Sequence, residues 1–253
     1  MPELERRIQQ SILANAVRWR DSLRIGPFTA TFSREDDNRY LNYAVPDSVA
    51  TPSSDEVAEL AAAYRARARV PRLEYIPQLA PDVEQMLVAG GFQAEGRLPL
   101  MTCAAPNDVV HTAVEGVQLV APTSGDDYRA AASAQAEAYG EHGPPAEHAV
   151  ESLRRTVAGG GVVVLARDAV TGEPAGAGSC TMPEDGLTEL TSVGVRPAFR
   201  RRGIAAAMTG WLAERAFAAG MTGVFLMAAG DAESRIYERA GFTRRGEVLH
   251  ISV

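Results

Sequence analysis

The sequence of 253 residues predicts a mixed α/β fold built from two similar halves. Helix-like apolar patterns alternate with short strand-like runs, but not in the regular strand–helix order that builds a fully parallel sheet. The chain also matches itself at a constant offset: Gly91-Phe92 corresponds to Gly241-Phe242, and 241 − 91 = 150. The same register relates Val45 to Val195 and Gly96 to Gly246, so we interpret the halves as an ancient duplication.

The first half, residues 1–103, is expected to form one domain. Apolar spacing predicts helices over residues 3–19, 55–69 and 81–89, the second with Ser53 or Ser54 as its N-cap. Strand-like runs cover residues 28–32, 40–45 and 73–76, and a strand pair is expected to run to Cys103. Residues 104–115, which contain Pro106-Asn107-Asp108, are expected to be a linker.

The second half, residues 116–253, is expected to form the second domain. Its predicted helices cover residues 126–139, 146–158, 204–219 and 231–240. Its predicted strands cover residues 117–120, 162–167, 175–182, 187–195 and 223–227, with a last strand from Phe242. A Gly/Pro-rich break at residues 140–145 separates the first two of these helices.

Composition narrows the classes of function. The net charge of −7 disfavours a nucleic-acid partner, because duplex binding needs a basic face. All 25 basic residues are Arg and none is Lys, which excludes lysine-based catalysis and self-acetylation on a lysine. The two cysteines lack metal-ligand spacing and are expected to be core residues, so no metal is expected. A polar N-terminus and the lack of a long apolar run predict a cytoplasmic protein without a membrane partner.

The segment Val195–Ala205 carries the strongest chemical pattern. A strand leads into it and an apolar helix leaves it, and helix starts expose backbone N–H groups that favour phosphate. Gly203 permits a close backbone approach and Ala205 keeps the helix start uncrowded. Arg200, Arg201 and Arg202 add positive charge. The alternative, a solvated basic turn, does not explain the fixed spacing of Gly203 and Ala205.

Here the sequence resembles the GNAT (Gcn5-related N-acetyltransferase) superfamily. Arg200-x-x-Gly203-x-Ala205 satisfies that family's Gln/Arg-x-x-Gly-x-Gly/Ala signature, and the segment from Ile236 to Phe242 matches its later Tyr…Gly-Phe pattern. The resemblance implies a mostly antiparallel sheet flanked by helices, with acetyl-CoA as acyl donor. The strand Glu189–Val195 would splay from its neighbour strand and open a slot for this donor. Backbone groups of Val193 and Val195 on that strand would hold its pantetheine arm. The amides of the turn would hold its pyrophosphate, at Arg201, Arg202, Gly203, Ile204 and Ala205.

The resemblance also suggests residues for the chemistry. Tyr237 matches the position of a tyrosine that protonates the departing thiolate; the alternative is a core tyrosine under the last strand. Glu189 lies where some members carry a general base, although a rim glutamate in an ion pair is equally consistent. Glu141 and His142 lie in the 140–145 break, where the acceptor binds in the family. One departure is Gly230, where many members have Asn; Asp231 after it resembles an N-cap.

The first half has lost this chemistry. At the same offset Arg200 becomes Ala50, Gly203 becomes Ser53 and Ala205 becomes Asp55, while Tyr237 becomes Leu87 and Glu189 becomes Arg39. We therefore expect one acetyl-CoA site per chain and a degenerate GNAT-like first half. The expected function is direct acetyl transfer to a primary amine of a small molecule or peptide, by a monomer or a homodimer. The alternative is a non-catalytic acyl-CoA-binding sensor or structural module.

Overall fold

Two units divide the chain in the computed structural model, which describes residues 2–253. The first unit consists of the chain up to Leu100 together with Gly246–Val253, and the second is Met101–Arg245. The sequence-based boundaries placed residues 246–253 with the second half. They belong to the first unit instead, because Leu249–Ser252 pair antiparallel with the strand Arg72–Tyr75.

The first unit carries three α-helices within the described residues: α1 (Pro2–Trp19), α2 (Ser54–Arg65) and α3 (Pro81–Ala89). Its strands are β1 (Asp21–Ile25), β2 (Phe28–Phe32), β3 (Ala44–Pro46), β4 (Arg72–Tyr75) and the greater part of β5 (Gln93–Cys103). β1 and β2, and β2 and β3, pair antiparallel, whereas β3 and β4 pair parallel. The N-cap of α2 is Ser53, one of the two predicted, and it forms a capping box with Glu56.

Three sequence-based expectations for the first unit are wrong. Tyr40 and Leu41, at the start of the predicted strand 40–45, belong to the 3₁₀ turn Arg39–Leu41, because the Asn38 side chain accepts a hydrogen bond from the Tyr40 N–H. The predicted strand pair that ends at Cys103 is the single strand β5. The edge strand β1 was not predicted, because all but its last residue are exposed and no apolar alternation marks it.

The second unit contains helices α4 (Gly125–Ala138), α5 (Glu147–Ala158), α6 (Ile204–Ala218) and α7 (Asp231–Glu238). Its strands are β6 (Val117–Val120), β7 (Val162–Asp168), β8 (Pro174–Cys180), β9 (Leu187–Val195), β10 (Gly223–Met227) and the start of β11 (Thr243–Ser252). The pairs β6–β7, β7–β8 and β8–β9 are antiparallel, and β9–β10 is parallel. The predicted mixed, mostly antiparallel sheet flanked by helices is thus confirmed.

Residues 104–115 are part of the second unit and pack against the rest of it, although the sequence suggested a linker. The Val110 N–H donates to the Ala240 carbonyl at 3.1 Å. A Cβ atom at Gly210 in α6 would lie 2.6 Å from the Val110 carbonyl oxygen, so the segment runs directly against that helix. Val109 and Val114 also pack on the apolar core that α6 covers.

Both units repeat one pairing pattern, in which two antiparallel contacts are followed by a parallel one. In the first unit it runs β1–β2–β3–β4, and in the second β7–β8–β9–β10. α2 and α6 begin at residues 54 and 204, and 204 − 54 = 150. No helix among residues 2–253 is long and apolar enough to cross a membrane.

A cluster of charged side chains is buried in the first unit. The Arg72 side chain is fully buried and is paired with Glu74 and Glu95. Its Nη2 atom lies 2.9 Å from Nδ1 of His250. Because an arginine only donates, Nδ1 accepts, and the ring of neutral His250 carries its proton on Nε2. Burial lowers the pKa of His250, and the positive charges of Arg72 and Arg39 lower it further. The negative charges of Glu74 and Glu95 raise it, but the net shift is downward.

This depressed pKa predicts a loss of stability in mild acid. Below about pH 6.5 the unfolded chain protonates His250 while the folded chain does not, so unfolding is favoured as the pH falls towards the folded-state pKa. The slope is at most about 1.4 kcal/mol per pH unit for one proton. Urea unfolding at a series of pH values between about 5.5 and 8 measures it, and the His250→Asn variant should lack the His250 contribution. An identical slope in the variant would contradict this role of His250.

Candidate functional site

The strands β9 and β10 lie side by side over only part of their length. Their parallel pairing joins Leu187, Thr188 and Glu189 to Gly223, Val224 and Phe225, and it ends there. β9 nevertheless continues to Val195 and β10 to Met227. From residue 190 onward, this edge of β9 therefore has no strand partner in the described part of the chain. Unpaired backbone groups at such an edge are available to a ligand.

A β-bulge shapes the free part of β9. Between the pairs Ala177–Gly194 and Ser179–Thr191, β9 has two residues where β8 has one. One of the two, Ser192, has a left-handed φ of 54°. The next strand residues are covered closely by α4, because a Cβ atom at Gly194 would lie 2.6 Å from Cβ of Ala138. The bulge thus bends β9 where a glycine lets the helix approach.

The strand then enters the turn predicted to bind phosphate. After a 3₁₀ turn at Pro197–Phe199, Arg201 and Gly203 adopt left-handed φ angles of 66° and 83°, and α6 begins at Ile204. No side chain caps this helix, and its first internal hydrogen bond runs from the Ala207 N–H to the Gly203 carbonyl. Consecutive N–H groups at a helix start in such a conformation form an anion-binding concavity.

The three arginines of the turn have different environments. The Arg200 guanidinium donates to the Val195 carbonyl at 3.1 Å and to the Ala138 carbonyl at 2.9 Å, so it fastens the turn to β9 and α4. Arg202 lies over the Phe199 ring and reaches the Glu115 carbonyl at 3.4 Å. Arg201 is exposed. The cluster therefore includes structural contacts that its sequence pattern did not reveal.

Tyr237 lies on α7, half-buried against the core that α6 covers, with its ring edge-on to Phe242 at a centroid distance of 6.4 Å. Burial raises the pKa of Tyr237 above its ordinary value, and nearby Glu233 and Tyr139 raise it further. The phenol therefore stays protonated at neutral pH, as a proton donor must. Tyr237 thus packs against the core and keeps its proton at neutral pH, and this environment suits either a core tyrosine or a proton donor.

Glu189 is half-buried at the last paired position between β9 and β10, opposite Phe225. Its carboxylate is near enough to Cys180 to contribute, after burial, to raising the pKa of that thiol. Burial likewise raises the pKa of Cys103 to about 11. Both thiols are protonated at neutral pH, which fits their expected place in the core. Glu189 stands where the two strands part.

The other predicted residues lie outside β9 and the turn that follows it. Glu141 and His142 are exposed in the segment between α4 and α5. Gly230 is the N-cap of α7, so the sequence-based assignment of Asp231 as that cap is wrong; Asp231 is the first helical residue and pairs with Arg244. No side chain caps α7; Glu233 in its first turn accepts a hydrogen bond from the N–H of Ala229, the residue before Gly230, at 2.9 Å.

Sequence reasoning missed three side chains near the free edge of β9. Glu233 precedes Tyr237 by one helical turn on α7, a spacing that indicates one shared face. The exposed Tyr139 ring ends α4, with its Cε2 atom 3.8 Å from where a Cβ of Gly194 would lie. Gln135, also on α4, donates to the Ser192 carbonyl at 3.0 Å. The last two depend on tertiary packing that no local pattern shows.

Comparison with known proteins agrees with this geometry. Residues 128–242 match the model of the acetyltransferase (GNAT) family. No curated protein of similar sequence was found. The match covers β9, the turn at residues 196–203 and α7, which are the elements described above.

Solved structures resemble the chain over nearly its full length. A GCN5-related N-acetyltransferase from Kribbella flavida has 26% identity and a TM-score of 0.80, covering 98% of this chain and 95% of its own. A GCN5-related N-acetyltransferase from Sphaerobacter thermophilus shares the fold, with 16% identity, a TM-score of 0.66, and coverage of 99% and 91%. A tandem GNAT protein from the clavulanic acid biosynthesis pathway also shares the fold. It has 13% identity and a TM-score of 0.62, covering 89% of this chain and 78% of its own. Residues 128–242 are thus identified as a GNAT acetyltransferase domain.

Proposed function

We propose that the chain is an acetyl-CoA-dependent N-acetyltransferase that acts on a primary amine of a small molecule or peptide. The observation that carries the proposal is the continuity of the free edge of β9 with the uncapped start of α6. An extended arm with amide groups suits an unpaired strand edge, and a diphosphate suits a helix start. Coenzyme A combines both groups in one molecule.

The residues present fit the acyl donor. Peptide groups of Val193 and Val195 lie on the free stretch of β9, beyond the last pair with β10. The amides of residues 201–205 follow one another through two left-handed positions into the helix. A Cβ atom at Gly203 would find no atom nearer than 3.8 Å, so space remains beside the turn. Arg201 and Arg202, both exposed at this turn, add positive charge for phosphate.

The chain's own side chains supply the proton transfers. When bound, the acetyl thioester supplies the group that the amine attacks directly. Glu189, at the point where β9 and β10 part, removes the amine proton, through a water if the distance requires one. Tyr237, kept protonated by burial, donates to the departing thiolate. Glu141 and His142, exposed in the loop after α4, contribute to binding the acceptor.

The first unit serves a different role in this proposal, as a degenerate copy without a site. The helix start of α2, which corresponds to that of α6, is already occupied: Ser53 Oγ accepts from the Glu56 N–H, and Glu56 accepts from the Ser53 N–H at 2.7 Å. The hydrogen bonds that the Ser53 N–H and the Ser53 hydroxyl donate to its carboxylate hold the pKa of Glu56 below its ordinary value. A carboxylate in this place repels a diphosphate.

Release of free thiol from acetyl-CoA, measured with a panel of small amines and peptides, tests the proposal. Turnover with a primary amine, together with coenzyme A binding in calorimetry, supports it. Tight binding without turnover on any amine would favour the acyl-CoA sensor, for which Gly230 in place of the family's Asn is the supporting observation. Absence of coenzyme A binding would refute both.

Replacing Glu189 with Gln is expected to lower kcat about 10- to 100-fold if it acts as the general base. The substitution keeps the size of the side chain but removes its proton affinity. The pH–rate profile should also lose its acidic limb. Glu184→Gln, on the loop that precedes β9, is the matched control and should retain activity. A lowered melting temperature with unchanged kcat would instead identify Glu189 as a structural rim residue.

A further inference from the structure

The last turn of α4 holds β9 and the phosphate turn at three points. Gln135 donates from Nε2 to the Ser192 carbonyl at 3.0 Å. Cβ of Ala138 packs against Gly194 closely enough to exclude any side chain there. The Ala138 carbonyl accepts from Arg200 Nη2 at 2.9 Å. One helical turn therefore touches the bulge, the strand after it and the turn that follows.

Ser192 is the residue of β9 that most needs such support. A left-handed φ of 54° is unfavourable for a residue with a side chain, and the cost is met only where neighbouring groups stabilise it. As a bulge residue it also leaves the regular ladder with β8. Its carbonyl is instead bound by Gln135, which comes from another element of the fold.

The conformation at Ser192 determines where the next peptide groups point. The Arg196 N–H donates to the Ala175 carbonyl on β8 at 2.9 Å. Because successive residues of a strand direct their N–H and C=O groups to opposite edges, those of Val195 face the free edge. The Val195 carbonyl accordingly accepts from Arg200, not from β8. Val193 is the other bulge residue, and it lies on the same stretch of β9 that has no partner in β10.

We propose that Gln135 is a positioning residue for the acyl donor, which acts by fixing the bulge so that Val193 and Val195 present their backbone groups to the slot. The proposal rests on the proposed function, because it assigns those groups to the pantetheine arm. In this proposal Gln135 acts only through its hydrogen bond to the Ser192 carbonyl. Its loss should weaken donor binding and leave the chemical step intact.

The variant Gln135→Leu tests this, because leucine is of similar size and neutral but cannot donate a hydrogen bond. We expect the Kd for coenzyme A and the KM for acetyl-CoA to rise about 5- to 10-fold, as for the loss of one hydrogen bond. The kcat at saturating acetyl-CoA should stay within about twofold. Gln135→Lys restores a donor at this partly exposed position and should recover most of the affinity.

Amide hydrogen exchange provides a readout that does not depend on catalysis. In the free protein, a peptide covering residues 190–195 should exchange faster in Gln135→Leu than in the wild type, while α6 peptides stay unchanged. If the wild type does not bind coenzyme A, the proposed function fails. Amide exchange in residues 190–195 then still measures whether Gln135 stabilises the bulge. If the wild type binds and Gln135→Leu binds equally well, the positioning role is refuted. An affinity as low in Gln135→Lys as in Gln135→Leu would also refute it, because the donor would not matter.

Discussion

Replacing Tyr237 with Phe is expected to lower kcat about 100-fold while the KM for acetyl-CoA changes little. A general acid contributes about 10²- to 10⁴-fold, and phenylalanine removes only the donor. The ring contact with Phe242 should persist, so the packing of α7 is retained. Burial and Glu233 raise the pKa of Tyr237. The wild-type rate should therefore not fall through deprotonation of Tyr237 below about pH 10.

Steady-state thiol release by wild type and Tyr237→Phe, with melting temperatures of both, measures this effect. Tyr128→Phe is the matched control, since Tyr128 lies in α4, packed against α4–α5 core residues, and has no assigned role. Equal kcat values in Tyr237→Phe and wild type would show that the tyrosine only packs against the core. A loss of activity accompanied by a large fall in melting temperature would argue for the same structural role.

Much of the second unit could be predicted because its patterns are local. The bounds of β9 and β10 are those expected from the apolar runs 187–195 and 223–227, and α6 begins at the predicted Ile204. The open helix start after Gly203 could be inferred because a turn and its following helix depend on adjacent residues. The same holds for the Ser53 cap of α2.

What escaped prediction depends on contacts distant in sequence. The C-terminal residues 246–253 look like the end of the second domain, yet their partner strand is Arg72–Tyr75. The bulge at Ser192 has no sequence marker, because serine gives no indication of a left-handed φ. Its partner Gln135 is 57 residues away, so pattern analysis of β9 alone could not find it.

Replacing Ala205 with Asp is expected to weaken coenzyme A binding more than 100-fold. This substitution places in α6 the residue that the first half has at Asp55. A unit charge about 5 Å from a phosphate charge costs about 3 kcal/mol at an effective dielectric constant of about 20. The fold should not suffer, because Ala205 is the second residue of α6 and an acidic side chain there stabilises the helix dipole.

The charge and the size of the new side chain can be separated with Ala205→Asn. Asparagine has nearly the shape of aspartate without its charge, so it should retain most of the affinity that Ala205→Asp loses. Calorimetric titration with coenzyme A and with pantetheine shows whether the affinity is lost at the diphosphate. Pantetheine lacks this group and should bind both variants equally well. Equal weakening in Ala205→Asn would mean that crowding at the helix start is decisive. Unchanged coenzyme A affinity in Ala205→Asp would mean that the diphosphate binds elsewhere, and Asp55 would then be no reason to expect the first unit to lack a site.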